Sequence, residues 1–374
     1  MNQPNRKILI VTYFFPPAIG GIENYYHNLC QLLGGDSVVV LTQNHPEASI
    51  FDAKQNYHIY RTDFFGGKMT PKWWHLKKEI QEIIQKEGIT HIIFGHFHPY
   101  CLLGKSLKLP YFVFGHGTDI ALAEAKFVSK WAFRRVYQSS QSFIANSQYL
   151  AQKMANIAQD KAKIKVIYPG VDYEALNKPV ENIGEYKRIL GLEDNNLIML
   201  SSGRLVGIKN YAAIIKLMPA LLEQLPKLKY LIMGDGPEFE NLNNLIKELS
   251  LTDHVKLLGH INDDPLAKAS YYQMAHIFVG VTTQPEGFGI SYLEAQACRT
   301  PVIASKFGGS AEAVIDGQTG ILVDPNKVAE IYSAILRLGS DKELWQRMAD
   351  AAHTRVKNEF SLDKQLAEFN KIIL

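Results

Sequence analysis

The chain has 374 residues, 40 Lys and Arg against 37 Asp and Glu, and 47% apolar residues. That balance excludes a disordered or fibrous chain and suits two folded domains of roughly 100 to 200 residues each. Cys30, Cys101 and Cys298 are its three cysteines; far apart and odd in number, they argue against a disulfide framework or a zinc site and for a reducing compartment. The charge is uneven, because residues 1 to 180 carry 20 Lys and Arg against 13 Asp and Glu while the remainder carries 20 against 24. The first half is therefore expected to face something anionic.

Near its start, from residue 6, the chain reads RKILIVTYFFPPAIGG, in which an apolar run follows Arg6 and Lys7. The run stops at Pro16-Pro17 without a small-residue cleavage site, so it reads as a buried first strand feeding a glycine-rich loop rather than as a secretory leader. KILIVTYF, SVVVLT, THIIFGH, YFVFGHG and SFIANS follow as strand candidates, alternating with amphipathic segments. A second set, LIMLSSGRL, LKYLIMGDG, VKLLGHI, HIFVGVTT and PVIAS, repeats the pattern. Alternation of this kind predicts parallel sheets covered by helices, twice over. The stretch KVIYPGVDYEALNKPVENIGEYK between them is rich in Pro, Gly and Asn and places the domain boundary near residue 178. The expected domains are residues 1–178 and 179–360, and a terminal helix over about 361–374, with Ser361 as its cap, is expected to pack back on the first. No stretch approaches the roughly twenty apolar residues of a membrane span.

Ligands of open parallel sheets bind at the carboxyl ends of the strands, so the strand-end loops are the places to look. SGRLVGIKNY carries Arg204 and Lys209 on one loop before a helix, a pairing suited to a diphosphate or to solvated surface charge. There is no Walker lysine. Gly234, Asp235 and Gly236 in MGDGPE allow close approach of a ring or sugar, though a tight turn explains them equally, and the Gly-x-Gly-x-x-Gly of a nicotinamide site is missing. Pro237 stands at a plausible first helical position. In PEGFGISYLEAQA, Glu286 precedes a helix starting at Ile290 and Glu294 lies about one turn into it. Their carboxylates can accept from vicinal hydroxyls on different parts of one extended ligand. In the first half, Gly20 and Gly21 of PPAIGGIENY can approach a diphosphate, and His116 of FGHGTDI can donate to a sugar hydroxyl or a leaving phosphate oxygen.

Together and in order, PPAIGGIENY, HGTDI, YPGVD, GRLVGIKN, GDGPE and EGFGISYLEAQACRTPVIASKFGGSAEAV resemble the retaining glycosyltransferases of family four. The resemblance covers nearly the whole chain and implies an α/β GT-B architecture, two doubly wound Rossmann-like domains facing across a cleft. It further implies that Arg204 and Lys209 bind the donor diphosphate, that Glu294 holds the nucleotide ribose and that Glu286 binds the transferred sugar. Backbone amides from Gly287, Phe288, Gly289 and Ile290 would contact donor sugar and phosphate, Gly20 and Gly21 would close on the diphosphate, and His116 would touch the donor sugar. The base would lie near Gly234 and near His260 and Ile261. His116, Glu286, Arg204 and Lys209 are the candidates for catalysis. No metal and no cofactor beyond the nucleotide-sugar co-substrate is implied, and no nucleic-acid partner.

Within the family the chain looks most like the phosphatidylinositol mannoside mannosyltransferases. This implies GDP-mannose as donor, a lipid-linked or glycan hydroxyl as acceptor, and a cytoplasmic protein on or near the inner membrane face. Two departures are visible, Thr118-Asp119 after His116-Gly117 where that subgroup has His-Glu, and Pro169 where many relatives have Asn. Competing readings are a UDP-sugar donor, a nucleotide-sugar epimerase, a glycoside hydrolase using Glu286 and Glu294, and an inactive nucleotide-binding module. Two basic aromatic segments are candidates for an anionic membrane. One holds Lys68, Lys72, Trp73, Trp74, Lys77 and Lys78; the other places Lys126, Lys130 and Arg134 at successive steps of four.

Overall fold

A computed structural model describes residues 6–64, 75–261 and 265–373 of the chain. Lys68, Lys72, Trp73 and Trp74 lie outside the described residues. The chain divides into two compact units, residues 1–169 with 362–374, and residues 170–361.

The first unit is built on seven parallel strands, β1 (Ile8–Val11), β2 (Val38–Gln43), β3 (His58–Thr62), β4 (His91–Phe94), β5 (Tyr111–Gly115), β6 (Ser142–Ala145) and β7 (Ile164–Val166). Their order across the sheet is β3-β2-β1-β4-β5-β6-β7. Strand β1 is wholly buried because both its faces are covered. Ile8 and Ile10 join Val38, Val40 and the helix Gly21–Leu33 on one side, while Leu9 and Val11 join Phe94 and Leu76 on the other. On the first of these faces Phe369 and Ile373 of the last helix, Leu362–Ile373, complete the core, and Gln365 hydrogen-bonds Tyr25.

The second unit holds six parallel strands, β8 (Leu197–Ser202), β9 (Leu228–Met233), β10 (Val255–Gly259), β11 (Ile277–Gly280), β12 (Val302–Ser305) and β13 (Gly320–Val323), in the order β10-β9-β8-β11-β12-β13. In both sheets strand order reverses beside the first strand, at β1/β4 and at β8/β11, which is the doubly wound Rossmann-like pattern.

The division at Pro169–Gly170 precedes the boundary expected near residue 178. The reason is local. The short helix Tyr173–Asn177 belongs to the second unit, where Tyr173 Oη meets His353 Nε2 at 2.7 Å and Gln273 Nε2 donates to the carbonyls of Leu176 and Lys178, both at 2.8 Å. Pro and Gly content marked this stretch as an irregular linker, but it holds the helices Tyr173–Asn177 and Ile183–Ile189, and composition could not register these packing contacts. Pro237 also stands two places ahead of its helix, which starts at Phe239.

Candidate active site

At the switch point of the second sheet, β8 and β11 deliver the two loops that carry the charged candidates. After β8 the chain passes Gly203 into a turn over Gly207–Lys209, then into the helix Tyr211–Gln224. After β11 it runs to Glu286 and on to the helix Ile290–Ala297. Thr283 N donates to the carbonyl of Ile208 at 2.8 Å, tying one loop to the other. The Lys209 ammonium pairs with one Glu286 carboxylate oxygen, both side chains being largely buried. Arg204 is exposed, and among the described residues its guanidinium has no hydrogen-bond partner.

The loop bearing Glu286 is held from behind. Gly309 N donates to the Glu286 carbonyl at 2.9 Å, and a Cβ at Gly309 would lie 2.0 Å from the Gly287 carbonyl oxygen, so only glycine lets the two backbones meet. Phe288 turns its ring into the core against Phe360 at 5.5 Å, leaving its backbone for any ligand contact. The helix then starts at Ile290 behind Gly289, with the unpaired N–H donors of a first turn.

Two buried tyrosines address the two glutamates. Tyr292 Oη lies 3.0 Å from the Glu286 carboxylate and 2.7 Å from the carbonyl of Gly280, and its one proton serves these acceptors in turn. Tyr272 donates to Glu294 Oε2 at 2.6 Å. Burial raises both phenols well above their usual pKa, so each stays a donor. The loops after β9 and β10 close the rim: Gly234 N donates to the Gly259 carbonyl at 2.8 Å, and a Cβ at Gly234 would sit 2.0 Å from the Gly203 carbonyl oxygen. Asp235 is exposed, its Oδ1 accepting from Gly236 N at 2.7 Å; His260 is exposed and Ile261 half-buried.

The first unit has its own rim at β1, β4 and β5. Gly20 precedes the helix Gly21–Leu33 and Gly21 is its exposed first residue. Tyr26, on that helix, donates to the Gly95 carbonyl at 2.5 Å and lies 2.8 Å from His116 Nε2. The one phenol proton can serve the Gly95 carbonyl or His116 Nε2, and the imidazole tautomer follows from which acceptor takes it. Burial lowers the His116 pKa and keeps the ring neutral. Asp119 braces the same corner, Oδ1 accepting from the N–H groups of His116 and Gly117, both at 3.0 Å, and Oδ2 from Phe97 N at 2.9 Å.

Residues 19–175 match the family described as Glycosyltransferase Family 4, and residues 182–355 match Glycosyl transferases group 1. The chain is a glycosyltransferase built of these two family domains. Curated relatives of this glycosyltransferase include the GDP-mannose-dependent monoacylated alpha-(1-6)-phosphatidylinositol monomannoside mannosyltransferase of Corynebacterium glutamicum, 28% identical over 96% of this chain and 95% of that protein. The GDP-mannose-dependent alpha-(1-6)-phosphatidylinositol monomannoside mannosyltransferase of Mycolicibacterium smegmatis is 27% identical over 89% of each. Among solved structures, HepE of Anabaena in complex with UDP and glucose superposes with a TM-score of 0.84 at 20% identity, covering 98% of each chain. Sucrose-phosphate synthase of Thermosynechococcus elongatus superposes with a TM-score of 0.78 at 20% identity and 98% coverage. The two Rossmann-like units are thus those of a GT-B glycosyltransferase.

Sequence reasoning about this glycosyltransferase missed Tyr292, Tyr272, Tyr26 and Asp119. A signal existed for the last: an aspartate two residues into a helix that follows a glycine is placed to take loop N–H groups. For the tyrosines there was only the general demand of a buried phenol for a partner, which does not name the partner. Among the described residues no group of three or more His, Cys, Asp and Glu is placed to hold a metal ion.

Proposed function

We propose that this glycosyltransferase moves a mannosyl group from GDP-mannose to a hydroxyl of a lipid-linked or glycan acceptor, with retention at the anomeric carbon and without a metal ion. The observation that carries the donor reading is the Lys209–Glu286 pair at the β8/β11 switch point, with exposed Arg204 on the same loop. A cation and a carboxylate held side by side can separate onto the two parts of a nucleotide sugar, Lys209 and Arg204 onto the diphosphate and Glu286 onto sugar hydroxyls. Glu294, fixed by Tyr272, is left for the ribose. Gly20, Gly21, Gly287, Phe288, Gly289, Ile290, Gly234, Asp235, Gly236, His260 and Ile261 supply backbone and rim contacts. The choice of GDP-mannose is supported by the GDP-mannose-dependent relatives, 25–28% identical.

In the reaction the bond from the anomeric carbon to the leaving phosphate oxygen breaks as the bond to the acceptor oxygen forms on the same face. The acceptor proton passes to the departing phosphate, whose charge Lys209, Arg204 and the N-terminus of the helix Ile290–Ala297 stabilise. His116 makes a hydrogen bond to a donor-sugar hydroxyl.

The test is a titration of the chelator-treated protein with GDP-mannose, UDP-glucose and their free nucleotides, followed by incubation with mannosylated phosphatidylinositol and NMR of the new linkage. Preferential binding of GDP-mannose and an α-linked product from the α-linked donor are expected. Preference for UDP-glucose would discard the mannose assignment, a β-linked product would discard retention, and conversion of the donor without acceptor would replace transfer by epimerisation.

A further inference from the structure

The exposed apolar surface of the first unit is concentrated at one corner. The helix Thr118–Ala125 ends there and the helix Phe127–Ser139 begins, with extended Lys126 between them. Leu122, Phe127, Val128 and Trp131 are 63%, 86%, 72% and 53% exposed, four of the ten large apolar side chains left in solvent among the described residues. Phe127 and Trp131 are one turn apart and so lie on one face. On its other face the same helix buries Ala132, Phe133, Val136 and Tyr137, so the exposed residues are not the edge of a missing core.

The charges around this corner are one-signed. Lys126 and Arg135 are exposed and Lys130 is half-buried. Glu124, two residues before Lys126, is already paired with Lys153 at 3.0 Å. Arg134, expected to join the lysines, instead donates Nε to the Ile157 carbonyl at 2.7 Å and is not part of the patch. The helix Phe127–Ser139 has no acidic residue in its first turn and no side-chain cap, and it carries Lys126 at its positive end. A lysine there is unfavourable for an isolated helix. It becomes favourable when an external anion meets the lysines and the free N–H groups together.

We infer that this corner, Leu122, Phe127, Val128 and Trp131 ringed by Lys126 and Lys130, is where the protein docks on an anionic membrane. The apolar residues enter the boundary between headgroups and acyl chains while the lysines and the helix N-terminus take lipid phosphates. No described helix is long and apolar enough to cross a membrane, so the contact is a surface one. The inference does not depend on the identity of the donor, since docking is measured without any nucleotide sugar.

Flotation of the full chain with phosphatidylcholine vesicles, with and without phosphatidylglycerol, tests it. Binding is expected only to the phosphatidylglycerol vesicles, weakening with salt. Lys126→Glu/Lys130→Glu should lower partitioning by at least about tenfold, given about fivefold per basic residue at a charged surface. Phe127→Ser/Trp131→Ser should do the same, with far-UV circular dichroism unchanged because both side chains face solvent. Brominated lipid should quench emission that Trp131→Phe removes. Absence of flotation, equal flotation of either double variant, or loss of binding only on Trp73→Ser/Trp74→Ser would each overturn the inference. So would a chain dimer that Phe127→Ser/Trp131→Ser dissociates while vesicles leave the wild type unbound.

Discussion

The rims of the two units solve the problem of presenting polar groups in opposite ways. In the second unit the central groups are charged and matched, Lys209 with Glu286 and each glutamate with a buried tyrosine. In the first, the central groups are neutral: burial lowers the pKa of His96 to about 3 and of His98 to about 4 and depresses His116 as well. A charged rim handles a ligand whose charge changes during reaction, because fixed charges stabilise a developing anion strongly in a site with little water. A neutral rim reads hydroxyls without competing for the phosphate. Under the proposed function the second unit performs leaving-group stabilisation and the first supplies shape and hydrogen bonds.

The comparison predicts unequal losses. Lys209→Ala should cost the most, about 10²- to 10³-fold in kcat/KM, as for removal of one donor to a developing anion. It also strands Glu286 without its cation, so donor affinity should fall too. Initial rates with a donor titration check this; a loss under tenfold would take leaving-group stabilisation away from this rim. His116→Ala should cost less, about 10- to 10²-fold, because it removes one neutral hydrogen bond and an aromatic contact to Tyr25 and Tyr26. A loss as large as that of Lys209→Ala would place a proton transfer at His116 and erase the contrast. Tyr292→Phe should be milder still, about tenfold, and should fall mainly on kcat if the hydroxyl aims Glu286. It leaves the Gly280 carbonyl short of its donor, so a stability loss of about 1 to 3 kcal/mol is expected alongside. A stability loss with unchanged kcat would reduce Tyr292 to a structural prop.

How much of this was legible in the sequence follows from which groups are buried on both sides. Strands β1, β2, β4, β5, β6, β8, β9, β11 and β12 sit inside their sheets and were visible as unbroken apolar runs. Strands β3, β7 and β13 were not, and all three are sheet edges; the fourth edge, β10, was visible as VKLLGHI. An edge strand such as β3, HIYRT with no buried residue, needs no continuous apolar run, and three-residue β7 is too short to show a period. Lys209 and Glu286 were legible because loop glycines and a helix start mark the carboxyl end of a strand. Their mutual contact was not, since it depends on how two loops 77 residues apart in sequence meet across the switch point. Tyr272 looks in sequence like any core aromatic; only the fold brings it to Glu294.

The neutral character of the first rim makes a thermodynamic prediction as well. His96 is almost fully buried, with Tyr100 Oη 2.9 Å from its Nε2, and desolvation is the largest cause of its depressed pKa. An unfolded histidine titrates near 6.5, so between that value and about 3 the unfolded chain binds a proton at this position that the folded chain does not. Stability must then fall as pH falls through this window, by up to about 1.4 kcal/mol per pH unit for a group that is neutral in the fold and charged outside it. Urea denaturation of wild type and His96→Gln at pH 7.0 and 5.5, values chosen at about the ordinary histidine pKa and a unit below, isolates the term. The variant is expected to be the less stable at neutral pH and to lose less stability on acidification. Equal pH slopes for the two proteins would mean that His96 takes up its proton as readily in the fold as in the unfolded chain, and the description of the first rim as neutral would fail at this residue.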